Sequence, residues 1–505
     1  MRALVRSTSA LLCAALLLAG CDAEQDKPKT GGDPNSPGPA GNSGGRPIQS
    51  HPTAQHGDVH VELTALDRVS PRVVVARFKV VNRTSGTFAF GSTLSGLTFR
   101  PDPLNKLDTN AVSAVTLFDQ AGSRRHFALT DGSGKCLCTR DDSPEVPPGQ
   151  SIDLAAAFPA PPDGVDQMGV LFPNTPPFMN VKLGDRAAPT LELEGRQVDL
   201  TQVQTKPPLI RSVAATTESP TGGEDDLGAD LRVRLSSDVL FALNKADLSP
   251  RAREILRSVA GKIDQSPGAQ VRVDGHTDTS GDDAINLPLS QRRALSVEGE
   301  LKKLVTKPGI AFQSKGHGSA DPVASNDNET GRKLNRRVSV SFARPKPAAA
   351  APPSTAAKTG PVVLKAQPSA PPGHVSQWPR DARVEIDPVR RVGGGYALLS
   401  WTVANDDAAN LHADMAFGGL SLSQGYYGSG VNGVALEAGD KRYRILRDDR
   451  GSGLGTTFNL MSSGAYEVAK GESLRLTAMF KLPDDLTSVT VDLPGFGKAA
   501  DVPIR

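Results

Sequence analysis

Two stretches far apart in this chain carry the same spacing of apolar and polar residues. Val61-Glu62-Leu63 reappears as Val384-Glu385-Ile386, Arg68-Val69 as Arg391-Val392, and Val80 and Asn82 as Val403 and Asn405, at one constant offset. Ala121-Gly122 then pairs with Ala438-Gly439, and Gly149, Leu154 and Phe158 pair with Gly471, Leu476 and Phe480. Pro161 and Asp163 fall on Pro483 and Asp485. Chance aligns one such block; several in order indicate a unit present twice. In the first copy Val59, Val61, Leu63 and Leu66 open the pattern, and Val73, Val75 and Phe78 to Val81 follow the Ser70-Pro71 turn. Val115 to Phe118, Ile152 to Phe158 and Met168 to Phe172 come later, separated by Gly, Pro and Asp. Short apolar runs with frequent turns read as the strands of a β-sandwich. The expectation is a β-sandwich over 58–205 and a second copy over 380–505.

The intervening segments differ in composition. Residues 21–57 are polar and nearly free of apolar side chains, 206–230 hold Pro207, Pro208, Pro220, Gly222, Gly223 and an acidic run, and 344–379 are rich in Pro, Ala and Lys. All read as linkers, the first as a disordered spacer. A length of 505 residues suggests about three domains. With 57 Lys plus Arg against 55 Asp plus Glu, net charge leaves no nucleic-acid footprint.

Residues 231–343 have another rhythm. Ser249 suits a helix cap and Pro250 the first helical position, with Ala252, Ile255, Leu256, Val259 and Ile263 along one face. Val271 and Val273 alternate with Arg272 and Asp274 as a strand, and Gly275 with Thr279 to Asp282 breaks it into a loop. Pro288 suits the first turn of the next helix, whose apolar face is Ala294, Val297, Leu301 and Leu304. With a closing strand Arg337 to Phe342, the pattern is an α+β sandwich, helices on one face of a sheet. The loop carboxylate Asp278 then faces the guanidinium of Arg293. Such a pair reads a zwitterion, the carboxylate taking an ammonium and the arginine fork a carboxylate.

The residues of this region carry a resemblance. GHTDTSG (Gly275 to Gly281), then Asn286, Leu289, Ser290, Arg293 and Ala294, and later GRKLNRRV (Gly331 to Val338), resemble the peptidoglycan-associating domain of the OmpA family. DVLFALNKADLSPRA (Asp238 to Ala252) resembles that domain's opening strand, turn and helix. The resemblance implies a peptidoglycan partner, with Asp278 and Arg293 holding the diaminopimelate of the stem peptide and Asn244, Asn286 and Arg336 lining the pocket. Ala242 departs from the acid found there in many members, and Asp282 and Asp283 add negative charge near the loop. For Asp278 and Arg293 the bland reading is an internal salt bridge; for Asn244 and Asn286 it is a turn or cap. Arg336 and Arg337 point to opposite faces of a strand, so one of them reads as a solvated charge. His276 has no nucleophile partner and His317 reads as a turn or core residue. No catalytic site and no cofactor is expected.

The N-terminus reads as a targeting segment. Arg2 and Arg6 precede an apolar run, Ala10 to Leu18, too short to span a bilayer. Leu17 to Cys21, LLAGC, resembles the lipobox of bacterial lipoproteins, which implies a signal peptide over 1–20 and lipidation at Cys21. The expected protein is exported and lipid-anchored in the envelope, the β-sandwich domains free to meet envelope protein partners. Asp22 resembles an inner-membrane retention signal in some double-membrane bacteria, and outer-membrane attachment stays open. Cys136 and Cys138 are the cysteine pair of the exported part. A local disulfide is the favoured reading over free thiols or a metal, since no further ligands lie nearby.

Overall fold

Alternating valines and phenylalanines build the first sheet. The strands Val59–Ser70 and Val73–Asn82 pair antiparallel with Val61 opposite Val80 and Leu63 opposite Phe78. Ser151–Pro159 adds on the far side, Leu154 opposite Phe78. In this computed structural model the described residues are 47–90, 94, 111–141, 144–185, 189–345, 361–366, 368, 379–413, 417, 429–458 and 467–505. The expected signal segment 1–20, Cys21 and the spacer up to residue 46 lie outside them.

The C-terminal region repeats these registers. Val384 stands opposite Val403, Ile386 opposite Trp401, and Trp401 opposite Leu476. Buried Asn82 donates its amide to the carbonyls of Gly86 and Val146, and buried Asn405 donates to those of Ala409 and Val468. Gly149 N–H then meets Asn82 O, as Gly471 N–H meets Asn405 O. Both glycines sit at positive φ, 70° and 81°, which a side chain resists. A buried amide needs such partners, so each Asn fixes one chain reversal. Cys138 bridges Ala156 where Gly455 bridges Ala478, and Cys138 is disulfide-bonded to Cys136.

Between these β-rich regions, Asp230–Ser236, Arg337–Ala343, Gln270–Gly275 and Ala311–Gly316 form adjacent strands, in that order. The last two are parallel, joined through helix α3; the other pairs are antiparallel. Helices α1 (Ser237–Leu240), α2 (Pro250–Gln265), α3 (Asp283–Leu304) and α4 (Glu329–Asn335) complete the domain. Ser249 Oγ accepts from Ala252 N–H to cap α2, whose Leu256, Val259 and Ile263 pack on Val273 and Val340. α3 starts at Asp283, capped by Asp282 at Ala284 N–H, so Pro288 lies inside the helix instead of in its first turn. Pro288 is exposed, so its ring meets no neighbouring element, and the helix forgoes one backbone hydrogen bond to Ala284 O.

Segments expected as linkers contain strands. Gln49–Pro52 pairs with Val59–Ser70, and Ala54 beyond it is buried in the core of the C-terminal region. Val362–Ala366 pairs with Ala382–Ile386, anchored by a short Val-Val-Leu run inside the Pro- and Ala-rich segment. The largest correction is 206–230, which holds a hairpin, Ile210–Ser219 and Gly222–Asp226. Its first residues pair with Arg124–Phe127, Val213 and Ala214 with Arg447–Asp448, Thr217 and Glu218 with Lys441–Arg444, and its other edge with Gly222–Asp226. Partners on both edges supply what Thr, Ser and Ala do not advertise in sequence. Phe118, Val213, Tyr396, Leu446 and Met479 form a shared apolar cluster there.

Candidate functional site

The site begins where Gln270–Gly275 ends. A Cβ on Gly275 would lie 2.2 Å from Ser290 O, so only glycine lets α3 pass this close. The loop that follows is braced from α3: Asn286 Nδ2 donates to Ser280 O at 3.3 Å and Asp278 O at 3.5 Å. Ser280 N–H donates to Asp278 Oδ1 at 2.9 Å, turning the carboxylate back over its own loop. On the other side, Asn335 Oδ1 accepts from Val323 and Ala324 N–H, and its amide donates to Ala324 O.

Arg336 is the charge centre. It donates Nε and Nη2 to the two oxygens of Asp238 at 2.9 and 2.8 Å, Nη2 to Glu329 at 2.7 Å, and Nη1 to Asp278 Oδ2 at 2.7 Å. Asp238 above all, with Asp278 and Glu329, holds its pKa above the ordinary arginine value. Arg293 projects from the third turn of α3, not the first turns. It donates Nε to Lys245 O at 3.0 Å and its guanidinium stands 5.2 Å from the centre of the Phe241 ring. Burial lowers its pKa, while Asp238 and Asp278 act in the opposite sense. No ion pair joins Arg293 to a carboxylate among the described residues, so the bland reading of an Asp278–Arg293 salt bridge is not what the structure holds; Asp278 pairs with Arg336. The two ends of the Arg293 fork are thus left for something else.

The remaining candidates fall as follows. Asn244 is exposed at φ 57° in the turn closed by Lys245 N–H to Ala242 O, a turn residue on the rim. Neither Arg336 nor Arg337 is a solvated charge: Arg337 is buried and donates to Asp321 O and Asn335 O. His276 is buried, stacked on His317 at 4.8 Å, and burial pushes its pKa down to about 4. His317 Nε2 lies 2.9 Å from Asp274 Oδ1. Asp282 caps α3 and Asp283 accepts from Ser319 Oγ, so both have local structural work. Asp238, Glu329 and Phe241 were not singled out by the sequence reading. Asp238 and Phe241 lie in the block Asp238 to Ala252 and Glu329 just before the block that opens at Gly331, yet only the folded chain brings them to Arg336 and Arg293. Among the described residues no group of His, Cys, Asp or Glu is arranged to hold a metal ion.

A mixed sheet with helices on one face and an anchored Asp loop at the end of a central strand defines a small α+β module. Residues 240–336 match the OmpA family. Over 112 residues the chain is 39% identical to outer membrane porin F of Pseudomonas fluorescens, spanning 22% of this chain and 33% of that protein. Over 140 residues it is 33% identical to the peptidoglycan-binding protein ArfA of Mycobacterium tuberculosis, spanning 26% and 42%. The cell wall anchor of the T6SS from Pseudomonas aeruginosa, a solved structure, is 29% identical over 25% of this chain and 88% of that one, with a TM-score of 0.23. The chain spans about a third to two fifths of the length of these curated relatives, neither named as an enzyme. The central region is an OmpA-family domain. No helix among the described residues is long and apolar enough to cross a membrane.

Proposed function

We propose that this chain is an exported envelope protein that grips peptidoglycan non-covalently through its central domain, its ligand the diaminopimelate of the stem peptide. The observation that carries the reading is Arg293. Its Nε and ring face are fixed by Lys245 O and Phe241, and the rest of its fork has no carboxylate partner among the described residues. A ligand carboxylate completes it, and the ammonium on the same carbon turns to Asp278, held in place by Arg336 and Ser280. Asn286 shapes this loop and Asn244 stands at its rim.

The relative ArfA is named as peptidoglycan-binding, which supports the ligand class. The lipobox-like Leu17 to Cys21 supports a lipid anchor at Cys21, and with it a tether between membrane and wall. A wall of repeated ligands beside the anchor gives a high effective concentration, so one modest site suffices. The shared registers and the Asn82 and Asn405 reversals support reading 58–205 and 380–505 as two β-sandwich copies of one unit, open to protein partners. One observation favours a second reading: Asp278 is already neutralised by Arg336, as in a domain kept for scaffolding alone.

The two separate in a sedimentation assay of the full chain in mild detergent with diaminopimelate-type sacculi, beside Arg293→Ala and Asp278→Ala. Thermal melts establish that each variant is folded. The wall reading expects the parent in the pellet and both folded variants in the supernatant. A parent that stays in the supernatant, or an Arg293→Ala variant that pellets equally, leaves the scaffold reading.

A further inference from the structure

One face of the central sheet carries the helices and the other carries arginines. Leu231, Val233 and Leu235 turn inward, so Arg232 and Arg234 project from the opposite face. Pairing aligns Arg232, Ser341 and Arg272 across three adjacent strands, and Arg234, Ser339 and Asp274 in the next row. Arg337 opens the middle strand on the same face. All of these except Ser341 line a cavity of about 1230 Å3, with Arg444 and Arg447 of the C-terminal region in its wall.

Seven cationic side chains line the cavity against four carboxylates, so charge there is unbalanced. The carboxylates are engaged as well. Asp225 pairs with Arg234, Glu218 with Arg444, and Asp274 and Asp321 with His317. Arg232, Arg272 and Arg337 have no ion pair among the described residues. Arg337 is 7% exposed, and only two backbone carbonyls accept from it. Burial, with Arg234 and Arg232 nearby, pushes its pKa down to about 10. Asp321 and Asp225 act in the opposite sense, but neither reaches Arg337 as an ion pair, and an incoming anion relieves a buried charge held that way. Beside it Ser339 and Ser341 are buried, their hydroxyls unclaimed among the described residues.

We propose that this cavity binds a phosphate-bearing anion, held by Arg232, Arg272 and Arg337 with the Ser339 hydroxyl as a further donor. Phosphate presents several oxygens to guanidinium forks and hydroxyls at once, which a single carboxylate does not. Arg232 and Arg272 stand two strand spacings apart, roughly 9.5 Å at Cα, so two linked phosphate groups span the floor better than one. The site lies on the face away from α2 and α3 and uses neither Asp278 nor Arg293.

Isothermal titration of pyrophosphate, and separately of poly(glycerol phosphate), into the full chain at low salt tests this. Arg232→Gln with Arg272→Gln removes two exposed or half-exposed cations without ion partners; Ser339→Ala is the second variant, and melts check both. Saturable binding that weakens about tenfold or more in the arginine variant, and persists in Asp278→Ala, is expected. Tighter binding of the polymer assigns the source as a phosphodiester chain; binding of pyrophosphate alone assigns a small diphosphate. No saturable binding of either, or binding unaltered in both folded variants, overturns the proposal.

Discussion

Asp448 is a buried carboxylate shared by arginines from two other segments of the β-rich regions. It is fully buried, with Arg211 Nη1 at 3.3 Å and Arg125 Nη1 at 3.6 Å from its Oδ2, and both arginines are buried too. Its Oδ1 accepts from Arg450 and Ser452 N–H, holding the turn that follows. The guanidiniums also stand 4.7 and 5.4 Å from the centre of the Phe127 ring. Asp448→Asn keeps shape and the Oδ1 acceptor, but removes the charge and puts an amide donor where Oδ2 accepts from Arg211 Nη1. Two desolvated cations then lose the carboxylate they share, which costs about 3–5 kcal/mol. Urea unfolding followed by tryptophan fluorescence reads this in a Trp378→Phe background, where fully buried Trp401 is the single probe. The midpoint is expected to fall by about 1 M or more. In an Arg125→Met, Arg211→Met background the same substitution should cost under about 1 kcal/mol, because nothing is left to neutralise. A parent-background cost below about 0.5 kcal/mol, or equal costs in both backgrounds, refutes the electrostatic account.

Two further outcomes follow from the central domain. His276 has its folded pKa depressed to about 4 from 6.5, so its contribution to stability is complete above pH 6.5 and is lost as pH falls towards 4. His276→Phe should therefore flatten the fall in melting temperature across that window, and parallel profiles would sink the idea; His51, depressed to about 4 chiefly by burial, contributes a slope that remains. Gly275→Ala should cost about 1–3 kcal/mol, since its Cβ meets Ser290 backbone at 2.2 Å. Gly299→Ala, inside α3 with nothing within 4 Å, should gain about 0.5–1 kcal/mol, and chemical denaturation that ranks the two equally refutes the contact.

Legibility tracked how local each signal was. The α2 start was readable because Ser249 and Pro250 act within one turn of the residues they cap. The start of α3 was misread at Pro288, since the cap at Asp282 competes with a proline that an exposed helix face tolerates. The ion pair that holds Asp278 was not legible. Asp278 and Arg336 are 58 residues apart, and only the sheet brings them to 2.7 Å. The arginines of the sheet face and the Asp448 centre left no sequence signal, because an isolated Arg or Asp on a strand looks solvated until another region covers it. The hairpin over 210–226 was hidden for the related reason that its stability comes from neighbours.

That hairpin has a mechanical consequence. The ten residues Ile210–Ser219 are hydrogen-bonded in turn to the N-terminal region, the C-terminal region and the strand leading into the central domain. A pull arriving through the central domain therefore enters a ladder of backbone hydrogen bonds, not a slack peptide. The load divides between both flanks before either can yield. A chain built this way transmits tension with little stretch, and its first failure under force should be the peeling of this strand.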